Sequence, residues 1–450
     1  MNKILLTIGL ATSLAANLFA GETLQLKLVP ERDYVVKNSP QEIVVKIDLS
    51  AIADRQKSRR TPLNLAVVLD KSGSMTGAKL EKTKQAAMQL VDRLTPNDIF
   101  SLVIFSDHAE VLVSAQKVED KDALKEKIQS IEAGGSTALC AGVQMGADQL
   151  QEFFSEKRIN RVILLSDGLA NVGPSSPRQL RQLGSNLSEK GISVTTIGVG
   201  DDYNEDVMAG IAEASDANYY YVQDTEKLPE IFSKELGEMI SVAARDVKIE
   251  IICPDGVKPL GFIGRAEKFE NQKSTVNLSQ FTTGQNRYLF LRCLVNGDQP
   301  EVARVNVNYK DELSDGSDQS TSGVAKINFT DDAKLSEKSV NGAVVAQKEL
   351  MLTAVAKDEA IAQADAGNYQ QAASILKAQS DALNFAYAAA PASVQGQIRA
   401  ETNNLDTFSG AIGGGGGGGG GGRGGGSSYD SATRKVMQSQ SYNTRNSKSN

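Results

Sequence analysis

Asp70, Ser72 and Ser74 alternate along the stretch Asp70-Lys-Ser72-Gly-Ser74. One carboxylate and two hydroxyls are hard oxygen donors. That combination suits Mg²⁺, accepts Mn²⁺ or Ca²⁺ less selectively, and does not suit zinc. Two later stretches bring more groups of the same kind. Gly134-Gly135-Ser136-Thr137 offers a hydroxyl, and Ser166-Asp167-Gly168 offers a carboxylate. The only histidine, His108, excludes a multi-histidine metal site, and its place beside Asp107 reads as a hairpin turn.

Each group stands where a regular element ends. Leu65–Leu69 is an apolar run entering Asp70, the pattern of a buried strand in a parallel sheet. Beyond the motif, Leu80, Ala87, Leu90, Val91 and Leu94 recur at helical spacing. The first motif therefore occupies a strand-to-helix loop at a strand's carboxyl end, where open α/β sheets bind ligands. Arg161–Leu165 is a second buried strand, and it ends at Ser166-Asp167-Gly168. Thr137 lies between an amphipathic segment, Asp122–Ile131, and a helical pattern running to about Phe154.

Asp-x-Ser-x-Ser, a distant Gly-Gly-x-Thr and a later strand-end Asp-Gly, in that order, resemble the metal-ion-dependent adhesion site of von Willebrand factor type A domains. The resemblance implies that Asp70, Ser72 and Ser74 hold a divalent cation. It implies that Thr137 contacts the ion directly or through water, and that Asp167 acts through water. No motif position is missing. The resemblance covers less than half of the chain.

The central segment, residues 61–243, alternates strands and helices and so predicts an α/β fold with a doubly wound, mainly parallel sheet. Ile99–Phe105 and Glu110–Ser114 read as a strand pair, Ile192–Val199 as another buried strand and Leu228–Ile240 as a closing helix. Alternating strands flank this segment on both sides. Thr23–Val29 and Glu42–Leu49 precede it; faces built from Val247, Ile249, Ile251 and Cys253 and from Leu289, Leu291, Cys293 and Val295 follow it. Val305–Tyr309 and Val324–Phe329 are shorter candidates. We expect one discontinuous β-sandwich made from residues 21–60 and 244–332, with the α/β domain inserted, since domain termini usually lie close together. Residues 55–60, with Arg59 and Arg60, read as a solvated linker.

Residues 339–409 are alanine-rich, with Leu350, Ala354 and Ile361 on one helical stripe and Ala372, Ile375, Leu376 and Leu383 on the next. They predict a helical hairpin or three-helix unit that closes the chain against the sandwich. Residues 410–450 carry uninterrupted glycines at 413–422 and then a basic end with Arg434, Lys435, Arg445 and Lys448 against Asp430. Such a segment reads as a flexible tether and a disordered tail, whose removal is expected to leave metal binding intact.

Residues 1–20 read as a secretory leader: Lys3, the apolar Ile4–Leu10, then small residues with cleavage after Ala20. The mature protein is then expected in the periplasm or cell envelope or outside the cell, with no transmembrane anchor. The chain carries a net charge of −7, and −8 once Lys3 leaves with the leader, which argues against a general nucleic-acid binder. Of the three cysteines, Cys253 and Cys293 fall on apolar strand faces of one domain and are either a disulfide or two buried thiols. Cys140 reads as a buried helix thiol.

Other chemistries fail on spacing. Gly73-Ser-Met-Thr-Gly77-Ala-Lys79 lacks the spacing of a phosphate loop, and Tyr203 stands where a dinucleotide fingerprint after Gly198-Val-Gly200 needs its third glycine. The leading reading is a non-enzymatic adhesion or assembly module whose cation captures an Asp or Glu carboxylate of a partner protein. The alternatives are a metal-dependent hydrolase, for which the motif loops supply no general base beyond Asp167, and a scaffold with an idle metal site.

Overall fold

A computed structural model describes residues 23–52, 60–296, 299–314, 316–413 and 429–447. The expected leader and residues 414–422 of the long glycine run lie outside the described residues. So do residues 53–59, which include most of the expected basic linker.

Strands β1 (Leu24–Pro30), β2 (Tyr34–Val36) and β3 (Gln41–Ala51) precede the first motif. The motif region then builds β4 (Leu63–Asp70), α1 (Ala78–Arg93), β5 (Ile99–Phe105), β6 (Ala109–Lys117), α2 (Lys121–Gln129) and α3 (Leu139–Glu152). It continues through β7 (Ile159–Ser166), α4 (Pro177–Glu189), β8 (Ser193–Val199), α5 (Glu205–Ala214), β9 (Tyr219–Val222) and α6 (Leu228–Ile240). These strands form one sheet in the order β6-β5-β4-β7-β8-β9, parallel except for the antiparallel edge strand β6.

Every residue of β4 is buried, because helices cover both faces of the sheet. The side-chain alternation of the strand divides it between two cores. Leu65, Val67 and Leu69 pack with Leu90 and Val91 of α1 and Phe232 and Leu236 of α6. Ala66 and Val68 pack with Val143 and Leu150 of α3, Leu180 of α4 and Val207 of α5. The two layers pack on opposite faces of β4 up to the residue that opens the first motif.

The chain returns through β10 (Val242–Ile252), β11 (Val257–Phe262), β12 (Lys273–Thr282), β13 (Asn286–Val295), β14 (Glu301–Asp311), β15 (Ser317–Lys326) and β16 (Asn328–Thr330). Two antiparallel sheets result, ordered β1-β3-β13-β11 and β12-β10-β14-β15. The insertion is visible in the register of β3: Ile47 stands opposite Leu28 on one side and Leu289 on the other. Leu24, Ile43, Val45 and Ile47 of one sheet share a core with Val247, Ile249, Ile251 and Val305 of the other. Cys253 and Cys293 lie inside this core as thiols with their Sγ atoms 3.8 Å apart. Cys140 is half-buried rather than buried.

Arg60 is not a solvated linker residue. Its guanidinium makes a two-pronged pair with Asp98, at 2.9 and 2.6 Å, and Asp98 also accepts the backbone N–H groups of Leu63 and Thr95. The pair fixes the start of β4 against the turn that leads into β5. Burial opposes ionisation of Asp98, but the Arg60 guanidinium and those two amides outweigh it and hold the carboxyl below its ordinary value.

The C-terminal region departs from expectation in two ways. First, after the short α7 (Ala333–Lys338), the expected hairpin or three-helix unit takes the three-helix form but ends later than expected: α8 (Gly342–Asp365), α9 (Tyr369–Tyr387) and α10 (Ala392–Gly413). The last of these runs past residue 409 because Ile412 is buried in the helical core with Leu376, Leu405 and Phe408. Second, the described part of the expected disordered tail, residues 429–447, contains a helix. Ser431–Arg445 forms α11, capped by Asp430, whose side chain accepts the Thr433 N–H. Its basic residues are matched by acids that lie far away in sequence. Arg434 reaches Glu205, Asp206 and Asp365 at 2.5, 3.0 and 2.7 Å, Lys435 reaches Glu205 at 2.9 Å, and Arg445 reaches Glu213 at 2.6 Å. The buried Tyr442 ring meets Tyr219 edge-on, and its hydroxyl donates to the Ala217 carbonyl at 2.6 Å. Thus α11 joins α5 and β9 of the inserted domain to α8.

Candidate metal centre

Asp70 is the last residue of β4 and is fully buried. Its Oδ1 accepts the Ser72 N–H at 2.8 Å, and its Oδ2 accepts the Ser166 hydroxyl at 2.5 Å. The chain then makes a single 3-10 turn, Gly73–Met75, anchored by buried Met75. That turn sets the Ser72 and Ser74 hydroxyls 3.1 Å apart. The Ser74 hydroxyl donates to Asp167 Oδ1 at 2.7 Å, so the first and last motifs touch.

Backbone contacts bring in the middle motif. Gly73 N–H donates to the Gly135 carbonyl at 3.0 Å, and Gly134 N–H to the Lys71 carbonyl at 2.7 Å. Gly135 has φ +87°, and a Cβ there would stand 2.7 Å from Asp107 Oδ2, so the close loop crossing requires glycine. The Asp107 carboxylate accepts the Ser136 N–H at 2.9 Å, and that bond holds its carboxyl below the ordinary range. Thr137 is tied to the third loop: its N–H donates to Asn171 Oδ1 at 2.8 Å, and its carbonyl accepts the Asn171 and Val172 N–H groups. Its hydroxyl oxygen and that of Ser74 lie 3.0 and 3.6 Å from the point where a Cβ on Gly168 would sit. All five residues singled out from the sequence are therefore gathered at the carboxyl end of β4 and β7.

The donor set passes a chemical test for a hard cation. Asp70 is buried, and its hydrogen-bond partners are a neutral hydroxyl and a neutral amide; burial pushes its carboxyl above the ordinary range, the hydrogen bonds from Ser166 and Ser72 only partly offset this, and the nearby charge of Asp167 adds to it. A buried carboxylate in that condition is stabilised by a cation placed against it. The surrounding hydroxyls are neutral oxygen donors, as Mg²⁺, Mn²⁺ or Ca²⁺ requires. Among the described residues no group of three or more His, Cys, Asp or Glu side chains is placed to hold a metal ion.

Two participants escape the motif. Ser166 orients Asp70 from the neighbouring strand. Lys79, in the first turn of α1, places Nζ 2.5 Å from Asp167 Oδ2. The sequence signal for Lys79 was the stretch Gly73–Lys79, which fails as a phosphate loop but does bring an ammonium back to the motif.

A mixed sheet wound on both sides by helices, with hydroxyl and carboxylate groups gathered on three loops at one end, defines a class of α/β ligand-binding domain. Residues 64–234 match the von Willebrand factor type A domain family, and this part of the chain is a von Willebrand factor type A domain. An uncharacterised protein of Synechocystis is 29% identical over 283 residues, which cover 60% of this chain and 66% of that protein. The uncharacterised protein YfbK of Escherichia coli is 27% identical over 274 residues, 59% of this chain and 47% of YfbK. The chain thus spans less than two thirds of the length of these curated relatives. Among solved structures, a von Willebrand factor type A protein from Catenulispora acidiphila superposes with a TM-score of 0.69 at 18% identity, covering 86% of this chain and 96% of that one. The ArnB paralog VWA2 from Sulfolobus acidocaldarius gives a TM-score of 0.62 at 18% identity, with 87% and 98% covered. These two likenesses extend beyond the inserted domain and show a shared fold. No described helix is long and apolar enough to cross a membrane.

Proposed function

We propose that this protein is a metal-dependent protein-binding module, an adhesion or assembly factor rather than an enzyme, that works in the cell envelope or outside the cell. The observation that carries the reading is Asp70: a buried carboxylate with neutral hydrogen-bond partners at a strand's carboxyl end, where the loops bearing the hydroxyls of Ser72, Ser74 and Thr137 come together. Asp70, Ser72 and Ser74 would hold Mg²⁺, with Mn²⁺ or Ca²⁺ as substitutes, and Thr137 and Asp167 would complete the site. When bound, the cation supplies a charge for an anionic oxygen, which a partner protein presents as Asp or Glu.

The protein's own residues prepare that capture. Ser166 fixes the Asp70 carboxylate, Asn171 fixes Thr137, and Met75 anchors the turn that presents both serines. Leu169, 56% exposed beside Gly168, offers an apolar contact next to the charged one. The envelope location rests on the leader pattern of residues 1–20.

The test is capture of a partner from the native envelope fraction in Mg²⁺, in EDTA and with Asp70→Ala. The expected result is a specific partner retained only by the native protein in Mg²⁺. Undiminished retention in EDTA would move the binding surface to the sandwich or the helices.

A further inference from the structure

The two buried carboxylates of the site are treated differently. Asp70 has only neutral hydrogen-bond donors around it, whereas Asp167 holds the Lys79 ammonium at 2.5 Å on the oxygen that does not face Ser74. Both carboxylates are fully buried, while the Lys79 side chain is 28% exposed. Lys79 is confined as well as paired. It sits in the first turn of α1, and a Cβ on Gly200, in the loop after β8, would stand 3.5 Å from its Nζ.

A divalent ion facing two uncompensated buried carboxylates would be neutralised, with nothing left to attract a third. An ammonium fixed on one carboxylate removes that neutralisation. It also repels the incoming ion and draws electron density from Asp167, which weakens the metal's hold. From this geometry we infer that Lys79 is a positioning residue that sets the charge of the centre, lowering its affinity for the divalent ion and raising its affinity for a carboxylate ligand. The inference rests on the metal-binding reading above and adds to it the reason why an acidic ligand is preferred.

The two effects have opposite signs, which separates them from loss of folding. Mn²⁺ is titrated into the full-length protein, followed by electron paramagnetic resonance of free Mn²⁺. Acetate is then titrated into the Mn²⁺-loaded protein, followed by the water-proton relaxation that falls as metal-bound water is displaced. For Lys79→Met the expected results are Mn²⁺ binding about tenfold tighter and acetate binding about tenfold weaker. Lys79→Arg, which keeps the charge, is expected to restore both constants towards native. Lys82→Met removes the same charge from an ion pair with Glu226 one turn further along α1 and is expected to leave both within about twofold. Unchanged or weaker Mn²⁺ binding in Lys79→Met, with native binding intact, would overturn the inference alone. A native protein that binds no Mn²⁺ would overturn it together with the metal-binding reading.

Discussion

The Ser74 hydroxyl donates to Asp167 Oδ1 at 2.7 Å across 93 residues of sequence. That bond closes the site: it joins the loop after β4 to the loop after β7, and both strands are pinned between helical layers. Because Asp167 holds a serine and a lysine, whereas Asp70 carries no basic partner, the two carboxylates contribute unequally. Asp167→Ala is expected to weaken Mg²⁺ binding by about tenfold to a hundredfold without abolishing it, as loss of an indirect partner does. Isothermal titration with Mg²⁺ measures this, and complete loss would make Asp167 a direct ligand.

The Arg60–Asp98 pair gives the inserted domain an acid-labile anchor. Its carboxyl is held below the ordinary aspartate value of about 3.9, so the stabilisation is fully present above that value and is lost as pH falls through the lowered one. Asp98→Ala leaves the Leu63 and Thr95 amides unpaired and is expected to destabilise by about 2–4 kcal/mol at neutral pH. Denaturant unfolding at pH 7 and near pH 3 checks this; the gap between native and variant should shrink at the lower pH.

Much of this site was legible in the sequence because each motif ended an apolar run. Leu65–Leu69, a short apolar run, read as a strand covered on both faces, and that placed Asp70 at its carboxyl end. The sandwich followed from the two-residue periods around Ile47 and Ile249. Other elements hide their period. Seven of the ten residues of α5 are buried, leaving only a narrow polar stripe at Asp206 and Glu213 to contrast with, and two of the buried positions of β12 are the polar Ser274 and Gln280. The basic residues of α11 read as solvated because their partners, Glu205, Glu213 and Asp365, lie well over sixty residues away. Lys79 reads only as the end of a stretch that fails as a phosphate loop until the fold brings Asp167 to it.

The buried thiols make a redox prediction. Cys253 and Cys293 face each other between the two sheets with sulfurs 3.8 Å apart, a small movement from bonding distance. Protein isolated from an oxidising compartment is expected to carry a Cys253–Cys293 crosslink, with Cys140 free. Peptide mapping by mass spectrometry without reductant checks this. By loop-closure entropy the crosslink over 40 residues would add about 3–4 kcal/mol.

The C-terminal helix is expected to matter to folding. Tyr442→Ala removes a buried ring and is expected to destabilise by about 3–5 kcal/mol, whereas Tyr442→Phe loses only the bond to Ala217 and about 1 kcal/mol. Truncation after residue 413 should lower the thermal midpoint, a consequence of α11 that the sequence expectation for residues 410–450, intact metal binding after their removal, does not address. Differential scanning calorimetry of the three variants measures the order, and equal midpoints for Ala and Phe would mean that the ring contact with Tyr219 contributes nothing.

Divalent-ion binding at Asp70 is the centre of this account, and Mg²⁺ calorimetry on native protein and Asp70→Ala, with folding verified by circular dichroism, tests it most directly. The account predicts one site in the native protein and none in the folded variant, since no other group can replace a buried carboxylate whose protein partners are neutral. A folded Asp70→Ala protein with native Mg²⁺ affinity would contradict it.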